Sequence, residues 1–135
     1  MELKNTLMNS LGIEVQTLDK DLVIMTMPVD HRTHQPAGFL HGGANVALAE
    51  TAASVGAYNH VDPEQFSVFG MEINANHIKS KRDGVVTAKA VPRHIGKTTM
   101  VWEINIVDEQ EELICMSRCT IGVVPKRTTG NSTKK

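Results

Sequence analysis

The chain has 135 residues, 41% hydrophobic and 21% charged, with a net charge of −1. That length suits one domain with a buried core, and so balanced a charge gives no reason to expect a nucleic-acid or membrane partner. No uncharged apolar stretch reaches the ~20 residues of a membrane span, and the amino terminus lacks the apolar segment of a secretion signal. Cys115 and Cys119 are the only cysteines. On one strand they would stand about 13 Å apart, too far for a disulfide, and reduced thiols of a cytoplasmic protein are expected.

In chain order, residues 3–10 allow a short amphipathic helix through Leu3, Leu7 and Met8, with weak caps. Asp21 to Val29 reads as a strand with Val23, Met25, Met27 and Val29 on one face, ending near Pro28, which has no N–H for a ladder. Residues 30–40 carry Pro36 and Gly38 and read as a loop. A helix is predicted from His41-Gly42-Gly43 to Tyr58, built of small apolar residues almost all round, which is the pattern of a helix buried on most sides. Residues 66–79, 84–95, 98–108 and 112–124 read as four strands joined by short connections, which favour antiparallel neighbours. Trp102, Ile104 and Ile106 share one face of the third of these, and Leu113, Cys115, Cys119, Ile121 and Val123 one face of the last. Residues 126–135 are polar and basic and read as a disordered tail after a domain spanning 1–125. The fold class is α+β, one helix on an antiparallel sheet. A single sheet covers only one side of such a helix, so a homo-oligomer, a dimer at least, is expected.

Glu50 is the only charged side chain between Gly42 and Tyr58. A carboxylate alone on a mostly buried helix is costly unless a ligand or a function requires it, although a solvent-facing glutamate is the plainer alternative. Ser54, one turn on, shares its face; it can hydrogen-bond the acid or a water, or serve only as a small packing residue. His41-Gly42-Gly43 opens the helix, where first-turn N–H groups lack internal partners and glycine permits close approach, as an oxyanion or phosphate site needs. Glu50 follows Gly42 by eight residues, about two turns. Gln35, in the preceding loop, can donate to the same carbonyl or be merely solvated. His31 and His34 have H-x-x-H spacing without a recognisable third ligand, so no metal site is expected. Residues 77–99 hold six basic residues against Asp83, a net of +5 that leaves −6 for the rest of the chain. Such a segment suggests a phosphate-bearing ligand, or equally a solvated hairpin.

The runs MPVDHRTHQPAGFLHGGANVALAETAASVGA, GMEINANHIKS and HIGKTTMVWEI occur in this order. Together, over residues 11–124, they resemble the hotdog-fold thioesterases of the PaaI and 4-hydroxybenzoyl-CoA type, within them the group that includes 1,4-dihydroxy-2-naphthoyl-CoA hydrolase. The resemblance implies a long helix wrapped by a curved antiparallel sheet, a dimer with a continuous sheet, and a tetramer of such dimers. It implies an acyl-CoA substrate, with CoA entering as part of that substrate and no separate cofactor. Glu50 then corresponds to the catalytic carboxylate, Gln35 and the Gly42 N–H to the carbonyl-polarising groups, His41 to the histidine before that glycine, and Ser54 to the hydroxyl after the acid. CoA contacts correspond to Gly70, to His77, Ile78, Lys79 and Ser80, and to His94, Ile95, Gly96, Lys97, Thr98 and Thr99. Lys79 stands where an arginine is common. A hotdog hydratase or dehydratase using His41 and Glu50, and a non-catalytic acyl-CoA sensor, are the alternative readings.

Overall fold

The computed structural model describes residues 4–127. The elements are α1 (Leu7–Leu11), β1 (Glu14–Leu18), β2 (Val23–Pro28), α2 (Gly42–Tyr58), β3 (Phe66–His77), β4 (Val85–Ile95), β5 (Thr99–Val107) and β6 (Leu113–Pro125). The strands form one antiparallel sheet in the order β1-β2-β4-β5-β6-β3, with α2 against one face. The basic tail expected over 126–135 lies, beyond Arg127, outside the described residues.

The predicted helix and strands lie within two residues of their observed ends. Two differences stand out. The amino-terminal helix is a single turn over Leu7–Leu11, with definite caps: Thr6 Oγ1 accepts from Asn9 N–H, and Gly12 closes the turn at φ 76°. β1 was not anticipated, so the sheet has six strands rather than five. It is an edge strand, exposed along most of its length and interrupted by a bulge between Val15 and Thr17. With no buried face it has no apolar alternation to read.

The apolar alternation of β2 is realised in full: Val23, Met25 and Met27 are buried while Ile24 and Thr26 face the other way. The same alternation on β4 buries Val86, Ala88 and Ala90. Onto this floor α2 sets Leu48, Ala49, Ala52, Ala53 and Gly56. Small side chains let the helix axis come close to the sheet, and the space so left is filled by Trp102 of β5, fully buried beneath Gly56. The opposite side of α2, with Val46, Ala47 and Tyr58, is apolar but only partly covered. Among the described residues no helix is long and apolar enough to cross a membrane.

Gly56 marks how tight this contact is. A Cβ there would stand 2.5 Å from the indole ring of Trp102, a rigid group with nowhere to move. Alanine has the better helix propensity by about 1 kcal/mol, but overpacking a filled core costs about 1–3 kcal/mol. Gly56→Ala is therefore expected to lower stability in urea unfolding; a gain in stability would show that the helix can lift from Trp102.

Candidate active site

The loop before α2 is tight and well anchored. His34 and Leu40 form a β-bridge, Gln35 N–H donates to Phe39 O at 2.8 Å, and Gly38 turns the chain at φ 89°. Leu40 N–H donates to Lys81 O and His34 Nε2 bonds Arg82 O, both at 2.8 Å, which fasten the loop to the β3–β4 connection. His34 is thus a structural clamp, and His31 is exposed beside Asp30. Within this turn the Gln35 side-chain carbonyl accepts from Ala37 N–H. That contact fixes the amide plane and leaves Nε2 as its donor.

The first turn of α2 distributes its amides unequally. His41, the N-cap, accepts Gly43 N–H on Nδ1 at 2.7 Å, and its carbonyl accepts from Ala44 and Asn45. Gly42 N–H has no acceptor among the described residues. It borders a cavity of about 420 Å³ that Gln35, Asn45, His77 and Lys79 also line. His77 reaches over Gly42 so closely that a Cβ there would meet its Nε2 at 2.8 Å. One open amide at the positive end of a helix beside a free side-chain donor is an arrangement suited to a carbonyl oxygen that gains negative charge.

Glu50 lies elsewhere. Its half-buried side chain borders a cavity of about 560 Å³ with Val46, Ser54, Tyr58 and Val68, and makes no hydrogen bond or ion pair among the described residues. Ser54 stands with it, as the helix spacing requires. His41 does not; it borders a third cavity beside Thr33 and His34, and the bond it makes is the cap. Gly70 faces Glu50 rather than the His77–Ser80 stretch with which the resemblance grouped it. His94–Thr99 forms the β4–β5 turn, tied to β6 through Val123 N–H on Thr98 O at 2.9 Å, and lines neither cavity within the protomer.

Sequence reasoning passed over Asn45. It is 4% exposed and its Oδ1 has no partner, although it borders the Gln35–Gly42 cavity. The signal was present, since an asparagine among small apolar residues is as anomalous as a glutamate. The basic segment is largely paired within the protomer. Four of its six cations are paired across the sheet: Lys79 with Glu112 and, at 3.9 Å, Asp108; Lys81 with Glu109; Lys89 with Glu111; and Arg93 with Glu103. Arg82 instead covers the Phe39 ring. Three of these pairs draw on one acidic turn, residues 108–112, and the fourth on Glu103 of β5.

Cys119, buried on the face of the sheet towards α2, has its thiol pushed up to about 12 by burial and then by the charges of Glu50 and Glu72. The Lys81 ammonium and the Val85 N–H hold Glu109 down from 4.5 to about 2. A depressed carboxylate stabilises the fold above its unfolded value and loses that contribution as the pH falls through the folded one. The stability difference between the native chain and Glu109→Gln is therefore expected to shrink from pH 4.5 down to about 2 in urea unfolding; a difference independent of pH would contradict the assigned pairing.

Residues 37–115 match the thioesterase superfamily, and the chain belongs to that family. It is a thioester hydrolase with the hotdog fold. It is 52% identical to the 1,4-dihydroxy-2-naphthoyl-CoA hydrolase of Listeria monocytogenes, over 90% of this chain and 98% of that protein. It is 46% identical to the protein of the same name from Escherichia coli, over 84% and 83% of the two chains. A solved glutamine-to-alanine variant of thioesterase PA1618 from Pseudomonas aeruginosa superposes with a TM-score of 0.90 at 44% identity, covering 92% of this chain and 89% of that one.

Proposed function

We propose that the protein hydrolyses acyl-CoA thioesters in a site shared by two subunits. One subunit supplies the Gly42 N–H and the Gln35 amide to the thioester oxygen, and the facing subunit supplies Glu50. The observation that carries this reading is the division of the groups between two cavities of one protomer. An unpaired acid and an unpaired pair of donors become one site when the acid comes from a neighbouring copy. Two features support such a neighbour: the partly covered apolar side of α2, and the outer edge of β3, a 12-residue strand bonded only to β6 with Phe69 and Met71 exposed. Pairing of β3 with its copy gives a continuous sheet, and a tetramer of such dimers is the proposed assembly, in the cytoplasm.

In the reaction, negative charge develops on the carbonyl oxygen as the nucleophile adds to the carbonyl carbon, the two donors stabilise it, and it returns to re-form the carbonyl as the C–S bond breaks. Glu50 either attacks the carbonyl carbon, releasing CoA thiolate and leaving an acyl anhydride that water cleaves, or takes a proton from the water that attacks. Neither route needs a separate cofactor. Ser54, one turn from Glu50, is placed to hold the water. Label recovered in Glu50 after a single turnover in ¹⁸O-water would show the anhydride route, with water attacking the Glu50 carbonyl.

The CoA arm is assigned to His77–Ser80, which borders the donor cavity, with His94–Thr99 and Gly70 as further contacts. Lys79 must exchange Glu112 for a phosphate, which is feasible because an exposed ion pair is worth only about 0–1 kcal/mol. An aromatic acyl group is proposed from the apolar lining around Glu50, with Val46, Tyr58 and Val68, and from relatives named for a dihydroxynaphthoyl substrate. Hydratase chemistry is disfavoured because His41 Nδ1 is committed to Gly43 N–H, and a mere sensor has no need of the unpaired acid.

Gln35→Ala is expected to lose about 10²–10³ in turnover, the usual cost of one oxyanion donor, and Glu50→Ala more. Thiol release from benzoyl-, naphthoyl-, phenylacetyl- and fatty acyl-CoA measures both and ranks the acyl groups. Undiminished hydrolysis by Glu50→Ala would end the proposal.

A further inference from the structure

Gly70 stands in β3 opposite Ile121, immediately before the bulge at Met71. The bulge turns Phe69 and Met71 to one side, where both lie over Gly122. Position 70 faces the other way, towards α2. A Cβ built there would lie 2.3 Å from Glu50 Oε2, 3.2 Å from its Cδ and 3.5 Å from its Cγ. Gly70 is not among the glycines of positive φ, so the backbone does not demand glycine; the space does.

We infer that Gly70 is a positioning residue for the acid: the slot left by its missing side chain holds the Glu50 carboxylate, and the β3 backbone fixes where that carboxylate points. The inference rests on the proposed role of Glu50 and differs from a contact with CoA, the role that the family resemblance implies for this glycine. Gly56 provides the contrast. There an added methyl meets a rigid, buried indole, and the fold yields. At Gly70 it meets the far end of a flexible side chain, and the carboxylate swings away while the fold stays intact. A displacement of about 1 Å in a reacting group costs about 10²-fold in rate.

The test uses the full chain and an acyl-CoA that the native protein hydrolyses. Gly70→Ala is expected to lower kcat about 10²-fold, with KM within about twofold and the melting temperature unchanged, the pattern of a lost transition-state contribution. Glu50→Asp withdraws the carboxylate from the slot by one methylene. Gly70→Ala/Glu50→Asp is therefore expected to be no slower than Glu50→Asp alone, a departure from the additivity of independent sites. Three results overturn the inference: an unchanged kcat in Gly70→Ala, a rise in KM alone, or a loss that multiplies in the aspartate background, as damage to folding or to CoA binding would. Glu50→Gln separates the two levels of the account. If it is inactive while Gly70→Ala is unimpaired, only the positioning role fails; if it keeps full activity, the role of Glu50 fails as well.

Discussion

The contact on which the site depends is that between α2 and the sheet. Ala49, Ala52, Ala53 and Gly56 let the helix lie directly on β2, β4, β5 and β6, with the Trp102 ring as its bed. A helix so held cannot slide or roll without opening voids or clashes in a close-packed core. Its amino-terminal amides and its acid are then rigidly related. Eight residues at 100° each place Glu50 about 80° around the helix from Gly42 and about 12 Å along it. That angle explains why the two border different cavities, and Ser54, only about 40° from Glu50, borders the same one. The separation is a property of the helix itself, and a second copy of the chain is the simplest way to bring both groups to one carbonyl.

The preparation of the amide end is equally specific. His41 satisfies Gly43 with its side chain and Ala44 and Asn45 with its carbonyl, leaving Gly42 open. The histidine that the family resemblance placed among catalytic groups caps the helix: it takes up the neighbouring donors and, since Nδ1 accepts, keeps any neutral-form proton on Nε2. The Gln35 turn does the corresponding work for the side-chain donor, engaging its oxygen with Ala37 N–H. Donors oriented before the substrate arrives need no reorganisation during the reaction.

Much of this was legible in the sequence where a periodic pattern coincided with burial. The alternation of Val23, Met25 and Met27 and the small-residue run of α2 each described one face of an element, and the structure buries those faces. Glu50 stood out for the same reason, as a charge where the pattern allowed none. β1 escaped because an edge strand with both faces exposed carries no such contrast. The pairing of residues 77–99 was not legible because charge is balanced in space: Glu109, Glu111 and Glu112 lie on a turn that neighbours those lysines only once β4, β5 and β6 have paired. Gly70 was readable as a family position, but its proximity to Glu50 depends on the β3 bulge, which no local pattern announces.

The claim that two copies of the chain complete one site has a direct measurement. Glu50→Ala and Gln35→Ala, each deficient alone, are dissociated, mixed in equal amounts and reassociated, and thiol release is followed. In a shared site half of the reassociated dimers carry one intact site and one doubly damaged site, so activity rises to about a quarter of the native value. If both groups served within one chain, no pairing would restore an intact site, and the mixture would hydrolyse thioester no faster than the average of its two parents.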